Sequence, residues 1–250
     1  MLAWVSLLLI VMACPPFPWF AYAGLALSFV VWYSISNFRA VGTSTRWMCS
    51  VPLVGLLVGM TISELPHRTL PVITGPTDDH LVVIGDSISA GLDPRVPPWP
   101  IIFEQKTGVP VRNLSKVGAT TLEGIELTSG IRVNDHVVLI EVGGNDLIAD
   151  LPSATFNTRL ETMLGKVSAP TRTVLMFELP LLPHKIGYGQ IQRRLARKYG
   201  VWLIPRRYLV SVIQSADATS DGLHLTVPGT GRMADFVAKA LSPVLIHEKS

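Results

Sequence analysis

No acidic residue occurs before Glu64, and this asymmetry divides the chain. All 18 Asp and Glu and all six His lie from Glu64 onward, and only two of the 21 basic residues, Arg39 and Arg46, precede it. Residues 1–63 therefore cannot cover themselves with polar surface in water. Three apolar runs fill them, at 2–14, 19–35 and 47–63, with Pro15, Pro16 and Pro18 closing the first. A hydrocarbon core about 30 Å thick needs about 17–25 helical residues; the second and third runs meet this and the first, about 20 Å long as a helix, falls short. Arg39 and Arg46 both sit between the second and third runs, which places that loop in the cytoplasm by the positive-inside rule. Trp19, Trp32 and Trp47 suit interfacial anchors. If all three runs span, the amino terminus is inside and everything after Ser63 is outside. Two passes, a re-entrant hairpin or a cleaved first segment compete. The first run lacks the basic start of a signal peptide, and Val11-Met12-Ala13-Cys14 matches a lipoprotein cleavage site only loosely. The expectation is a membrane region of two or three transmembrane helices over 1–63, with the bilayer as partner. It makes a multi-pass protein of the cytoplasmic membrane whose remaining domain faces the periplasmic or extracellular side.

Residues 64–79 are rich in Pro, Gly and Thr and read as a linker. From His80 short apolar runs alternate with helical patterns. Strands are expected at 80–86, 110–115, 136–142, 172–178 and 201–204. Helices are expected near 100–107, 120–129, 153–166 (capped by Ser153), 187–199 and 228–241, with Pro228 in the last one's first turn. Five strands alternating with helices predict one three-layer α/β domain over 80–250 with a mostly parallel sheet. From Glu64 onward 19 basic residues face 18 acidic ones, so the sequence pI near 9.0 marks no nucleic-acid surface. Arg193, Arg194, Arg197 and Lys198 fit a solvated helix face, and no nucleic-acid partner is expected. The two cysteines, Cys14 and Cys49, lie in the apolar part, which excludes a disulfide scaffold, a zinc ribbon and a cysteine nucleophile in the α/β domain.

The chemistry converges on the carboxyl ends of the strands, where ligands bind in open α/β sheets. The first strand, Leu81 to Ile84, stops at Gly85 and presents Ser87. The second runs into Asn113-Leu114-Ser115-Lys116-Val117-Gly118, and the third ends in Glu141-Val142-Gly143-Gly144-Asn145-Asp146. Near the end of the chain lies Asp221-Gly222-Leu223-His224. Ester hydrolysis by serine needs a nucleophile, a base, a group that holds the base and donors for the oxyanion. Ser87 supplies the hydroxyl and His224 the base. Asp221, three residues away across Gly222, can hold one imidazole nitrogen and leave the other free for Ser87. The Ser87 and Gly118 backbone N–H groups and the Asn145 side-chain amide can supply the oxyanion hole, with Gly118 allowing close backbone approach.

These four stretches, in this order, resemble the SGNH (GDSL) hydrolase family over about 80–245. Gly85-Asp86-Ser87-Ile88-Ser89, Gly118, Gly143-Gly144-Asn145-Asp146 and Asp221-Gly222-Leu223-His224 match its successive blocks. With Trp99-Pro100 in the first loop, the layout is similar to the short bacterial multifunctional thioesterase/lysophospholipase/arylesterase type. The resemblance implies a flavodoxin-like α/β/α domain with strand order 2-1-3-4-5, no metal and no organic cofactor. Leu225 departs from the proline that many members carry after the histidine.

Other readings are weaker. Ser87 is not in a nucleophile-elbow motif, and Gly143-Gly144 lacks the third glycine of a dinucleotide site. Asp78-Asp79-His80 is disfavoured as a metal site because adjacent side chains aim apart. Asp86 reads as a cap, Asp146 and Trp99 as structural. His67, His136 and His247 read as bland, and His184 as a residue that could rim the pocket. The expected function is a membrane-anchored serine esterase acting on carboxylic or thio esters of lipid or carbohydrate. The alternatives are an acyltransferase to a sugar or lipid hydroxyl with the same site, and a non-catalytic binding protein.

Overall fold

The computed structural model describes residues 15–37 and 42–245. The run at 2–14, Cys14, Arg39 and His247 lie outside them. The chain divides into two compact units, 1–69 and 70–250.

In the first unit, helices α1 (Trp19–Asn37) and α2 (Thr43–Glu64) carry the second and third apolar runs. Leu25, Phe29, Leu53 and Met60 form their shared buried cluster. Around it Trp19, Phe20, Val51 and Ile62 are exposed. By length and composition both helices could cross a membrane.

In the second unit, chain order gives β1 (Leu81–Gly85), α3 (Ser87–Ala90), α4 (Trp99–Thr107), β2 (Val111–Asn113), α5 (Thr121–Leu127), β3 (Val137–Glu141), α6 (Gly144–Ile148) and α7 (Ser153–Val167). There follow β4 (Thr173–Phe177), α8 (Ile186–Tyr199), β5 (Trp202–Ile204), α9 (Arg206–Ile213) and α10 (Val227–Leu241). The sheet is parallel throughout, in the order β2-β1-β3-β4-β5. Every residue of β1, β3 and β4 is buried. That is why these strands read as unbroken apolar runs: helices cover both faces of a parallel sheet. Leu81 and Val83 pack on one face with Trp99 and Phe103 of α4, Leu209 of α9 and Met233 of α10. Val82 and Ile84 pack on the other with Phe156 and Leu160 of α7 and Leu195 of α8. At about 1.5–3 kcal/mol for each large apolar side chain taken out of water, these two layers make the sheet a rigid floor.

Three local features differ from the expectation. Ser153 does not cap α7: Pro152 occupies the cap position and no side chain bonds there. Helix α9 lies in what reads as a featureless segment after β5; its apolar Leu209 and Val212 are buried. Within the expected linker, residues 70–79 pack on the α/β unit. Ile73 joins the core, Pro76 O accepts the Thr173 hydroxyl, and Asp78 bridges to Leu245.

Candidate active site

The register pairs Gly85 with Glu141, so β1 and β3 end level and their following loops meet. Asp86 leaves β1 and caps α3, its Oδ1 accepting the Ile88 N–H at 2.9 Å, as its cap reading anticipates. Ser87 is the first residue of α3 and nearly buried. The loop after β2 is tied to the same place. Asn113 Nδ2 donates to Ser89 O at 2.8 Å, and the Lys116 N–H donates to Gly85 O at 3.1 Å. Gly118 follows at φ +74°, a left-handed conformation with open space where a Cβ would stand, so its backbone angle is what requires glycine. Among the described residues its N–H meets no acceptor.

The loop after β3 turns at Gly143 (φ +108°) into α6. Asn145 Nδ2 donates to Ala119 O at 3.0 Å and to Asp86 Oδ2 at 3.2 Å, joining all three loops. Asp146 is structural: its carboxylate accepts the Thr121 N–H at 2.7 Å and the Thr121 hydroxyl at 2.6 Å, and so holds the start of α5.

The loop before α10 folds on itself. Thr219 bridges Leu225, and the Ser220 N–H donates to His224 O at 3.0 Å. Gly222 makes the turn at φ +87°. Asp221 Oδ1 accepts the N–H groups of Leu223 (3.0 Å) and His224 (2.8 Å), while Oδ2 faces His224 Nδ1 at 2.6 Å. The His224 imidazole, then the His224 and Leu223 N–H groups, hold the Asp221 carboxyl far below the usual aspartate range. The His224 charge is one of the smaller influences on the Asp86 carboxyl, and it favours the ionised form. No hydrogen bond joins the Ser87 hydroxyl to the His224 ring in this structure.

The sequence pattern assigns no chemical part to two carboxyls at this turn, Asp86 and Glu141. Burial, then the Asp86 charge, pushes Glu141 well above the ordinary glutamate range; burial also raises Asp86. The available signal was an acidic residue ending an otherwise apolar, fully buried strand. Trp99 is a packing residue, fully buried with its Nε1 donating to Ser89 Oγ at 3.1 Å. His184 is exposed in the turn before α8.

At the opposite edge of the sheet, Asp78, Asp79 and His80 do bring ligand atoms within 4.8 Å of one another, contrary to the expectation that they aim apart. Those groups are engaged with protein partners. Asp78 Oδ2 accepts the His136 N–H at 2.6 Å, and His80 Nε2 faces Asp135 Oδ1 at 2.9 Å. Arg112 completes the cluster with Nη1 2.6 Å from Asp135 Oδ1.

A five-stranded parallel sheet in the order β2-β1-β3-β4-β5, with Ser87 after its first strand and an Asp–His pair before its last helix, is the architecture of an SGNH hydrolase. The sequence pattern of the GDSL-like Lipase/Acylhydrolase family matches residues 83–232, and the chain belongs to that family: it is a hydrolase of ester bonds. It is similar to thioesterase 1/protease 1/lysophospholipase L1 of Escherichia coli K12, 27% identical over 199 residues that span 74% of this chain and 95% of the relative. It is also similar to an arylesterase of Vibrio mimicus, 30% identical over 181 residues, 65% of this chain and 88% of the relative. The crystal structure of TesA aligns with a TM-score of 0.57 at 27% identity, covering 66% of this chain and 99% of that one. The esterase EstA of a Pseudoalteromonas species, at 19% identity and a TM-score of 0.56 over 66% of this chain and 100% of its own, shares the fold.

Proposed function

We propose that this chain is a membrane-anchored serine esterase that hydrolyses carboxylic or thio esters with apolar acyl chains. The observation that supports the mechanism is the Asp221–His224 pair, in which the carboxylate occupies Nδ1 and Nε2 remains for the Ser87 proton. His224 Nε2 takes the Ser87 proton as the oxygen attacks the carbonyl carbon. The tetrahedral oxyanion is met by the Ser87 and Gly118 N–H groups and by Asn145, whose hydrogen on the longer 3.2 Å contact with Asp86 is the one it gives up. Collapse expels the alcohol or thiol, which takes the proton from His224. Water, deprotonated by the same imidazole, then attacks the acyl-Ser87 ester and releases the acid. None of these steps uses a metal or an organic cofactor.

Two features support an apolar acyl chain. Two of the relatives are named as a thioesterase and lysophospholipase and as an arylesterase. In this chain, the loops after β1, β2 and β4 and the end of α6 after β3 expose Leu92, Val117, Leu182 and Ile148. Anchoring through α1 and α2 is supported by their length and exposed apolar surface. With the Arg39–Arg46 loop cytoplasmic, the hydrolase domain faces the periplasm or exterior. Those same helices favour one second reading, acyl transfer to a sugar or lipid hydroxyl at the membrane. The deciding experiment incubates the full chain in detergent with a panel of acyl thioesters, lysophospholipids and acetylated sugars, with and without hydroxyl acceptors. Free acid as the acyl product, and covalent fluorophosphonate labelling lost in Ser87→Ala, are expected. An acylated acceptor as the main product establishes transfer, and a fully active Ser87→Ala overturns the mechanism.

A further inference from the structure

The proposed reaction leaves one buried acid unused. Glu141 is the last residue of β3 and 5% exposed. Its Oε2 accepts the Ser89 hydroxyl at 2.9 Å and the Asp86 N–H at 3.3 Å. Trp99 Nε1 donates to the same Ser89 oxygen at 3.1 Å. Asp86 in turn receives Ile88 N–H on Oδ1 and Asn145 Nδ2 on Oδ2. A continuous line of contacts thus runs from α4 through Ser89, Glu141 and Asp86 to Asn145, with Ser87 between Asp86 and Ser89 in the chain.

Glu141 Oε2 lies 3.3 Å from the Asp86 backbone N, and the Asp86 charge bears on its carboxyl. Two carboxylates this close and this far from water cannot both stay charged at neutral pH. Burial and then the Asp86 charge both favour the protonated form of Glu141. Burial raises Asp86 as well, but to a smaller extent, and its donors oppose that shift, Ile88 N–H first and the Glu141 carboxyl next. The other titratable groups that bear on the pair act through Asp86: His224 from the loop before α10 favours its charge and Asp146 of α6 opposes it.

We propose that Glu141 is a positioning residue: its carboxyl donates a hydrogen bond to Asp86 while accepting from Ser89 and the Asp86 N–H, and so fixes the Ser87 turn and the Asn145 amide in one frame. The inference rests on the reading of Ser87 as nucleophile and Asn145 as oxyanion donor. Glu141 touches no reacting atom and acts through Asp86. An Asp86 carboxylate already receiving that hydrogen is a weaker acceptor for Asn145. It can orient the amide without competing strongly for the hydrogen that the oxyanion needs.

The test compares Glu141→Gln and Glu141→Met with the parent and with Ser87→Ala, in steady-state ester hydrolysis by the full chain. Glutamine can donate to Asp86 and accept from Ser89, so E141Q is expected to keep kcat within about threefold. E141M has similar length and neither capacity, and is expected to lose about 100-fold in kcat with KM within about threefold, the scale of a misplaced reacting group. The parent should also lose kcat at alkaline pH as the shared proton leaves, and E141Q should not. That profile decides the matter even if E141M does not fold. The proposal is overturned if folded E141M matches the parent, if E141Q falls as far as E141M, or if parent and E141Q have the same alkaline profile. An active Ser87→Ala overturns the nucleophile reading itself, whatever the Glu141 variants do.

Discussion

Asp221 holds His224 twice over: one carboxylate oxygen sits 2.6 Å from the ring Nδ1, and the other accepts the backbone N–H of the same histidine at 2.8 Å. The imidazole is therefore fixed in tautomer and direction by a single side chain three residues away. Replacing Asp221 by Ala should lower kcat about 10²- to 10⁴-fold with little change in Tm, because Asp221 is solvent-exposed and supports no core. His224→Ala and Ser87→Ala should each cost about 10⁴-fold or more, and the double variant little beyond either alone. Additive losses in the double variant would show that the two side chains do not act as one unit.

The Asp221 carboxyl is held far below its ordinary range, so it stays ionised through the acidic region in which the enzyme can be assayed. In Asp221→Asn the ring loses the ionised carboxylate that faces Nδ1, and kcat/KM should fall about 10²- to 10⁴-fold throughout that region. A variant that keeps the parent's kcat/KM there would contradict this.

At the other edge of the sheet His80 lies between Asp79 and Asp135. Burial pulls its pKa down, but the hydrogen bonds it gives to those two carboxylates and the charges of Asp78 and Asp135 outweigh it, so the net shift is upward. A histidine raised on folding stabilises fully below its unfolded value, about 6.5, and the contribution is lost as pH rises through the raised value. The Tm advantage of the parent over His80→Gln should thus be largest in mild acid and shrink on the alkaline side. It should amount to about 1 kcal/mol or less, since the ring is partly exposed. Thermal melts across that range check it, and a pH-independent difference would refute it.

Ile148 and Val117 are exposed apolar side chains on the catalytic edge, flanking Asn145 and Gly118 in sequence. If they line the acyl path, Ile148→Asp or Val117→Asp should reduce kcat/KM for long-chain esters by about tenfold or more. Acetyl esters should change by less than about twofold. A buried methylene is worth about 0.8 kcal/mol, so a few lost contacts suffice. Equal losses on both substrates would remove these residues from the acyl path.

Much of the sheet edge that carries the candidate site is legible in the sequence because it depends on local signals. Leu81 to Ile84 and Val137 to Ile140 are apolar without interruption only because both faces of their strands are covered, and each run stops where its loop chemistry starts. Asp221 and His224 meet across one turn, which spacing alone anticipates. What escaped depends on register and long-range packing. The pairing of Gly85 with Glu141 decides that a strand-ending acid faces Asp86 rather than solvent, and no local pattern encodes that alignment. Residues 70–79 have the composition of a linker, yet Ile73 finds a place in the core only after β4, β5 and α10 exist to receive it. Helix α9 follows Pro205 and begins with two arginines, so its apolar positions, Leu209 and Val212, are too few to declare a face before the fold supplies one.

Gly85 has a meaning beyond ending a strand. Its backbone conformation is open to any residue, but an added Cβ would stand 2.6 Å from the Ser89 side chain and 2.9 Å from Glu141 Oε2. The glycine that closes β1 is thus reserved volume, an empty slot that lets an acid from the neighbouring strand slide in beneath the serine turn. A chain that filled the slot with even a methyl group would have to evict that acid or push the turn outward.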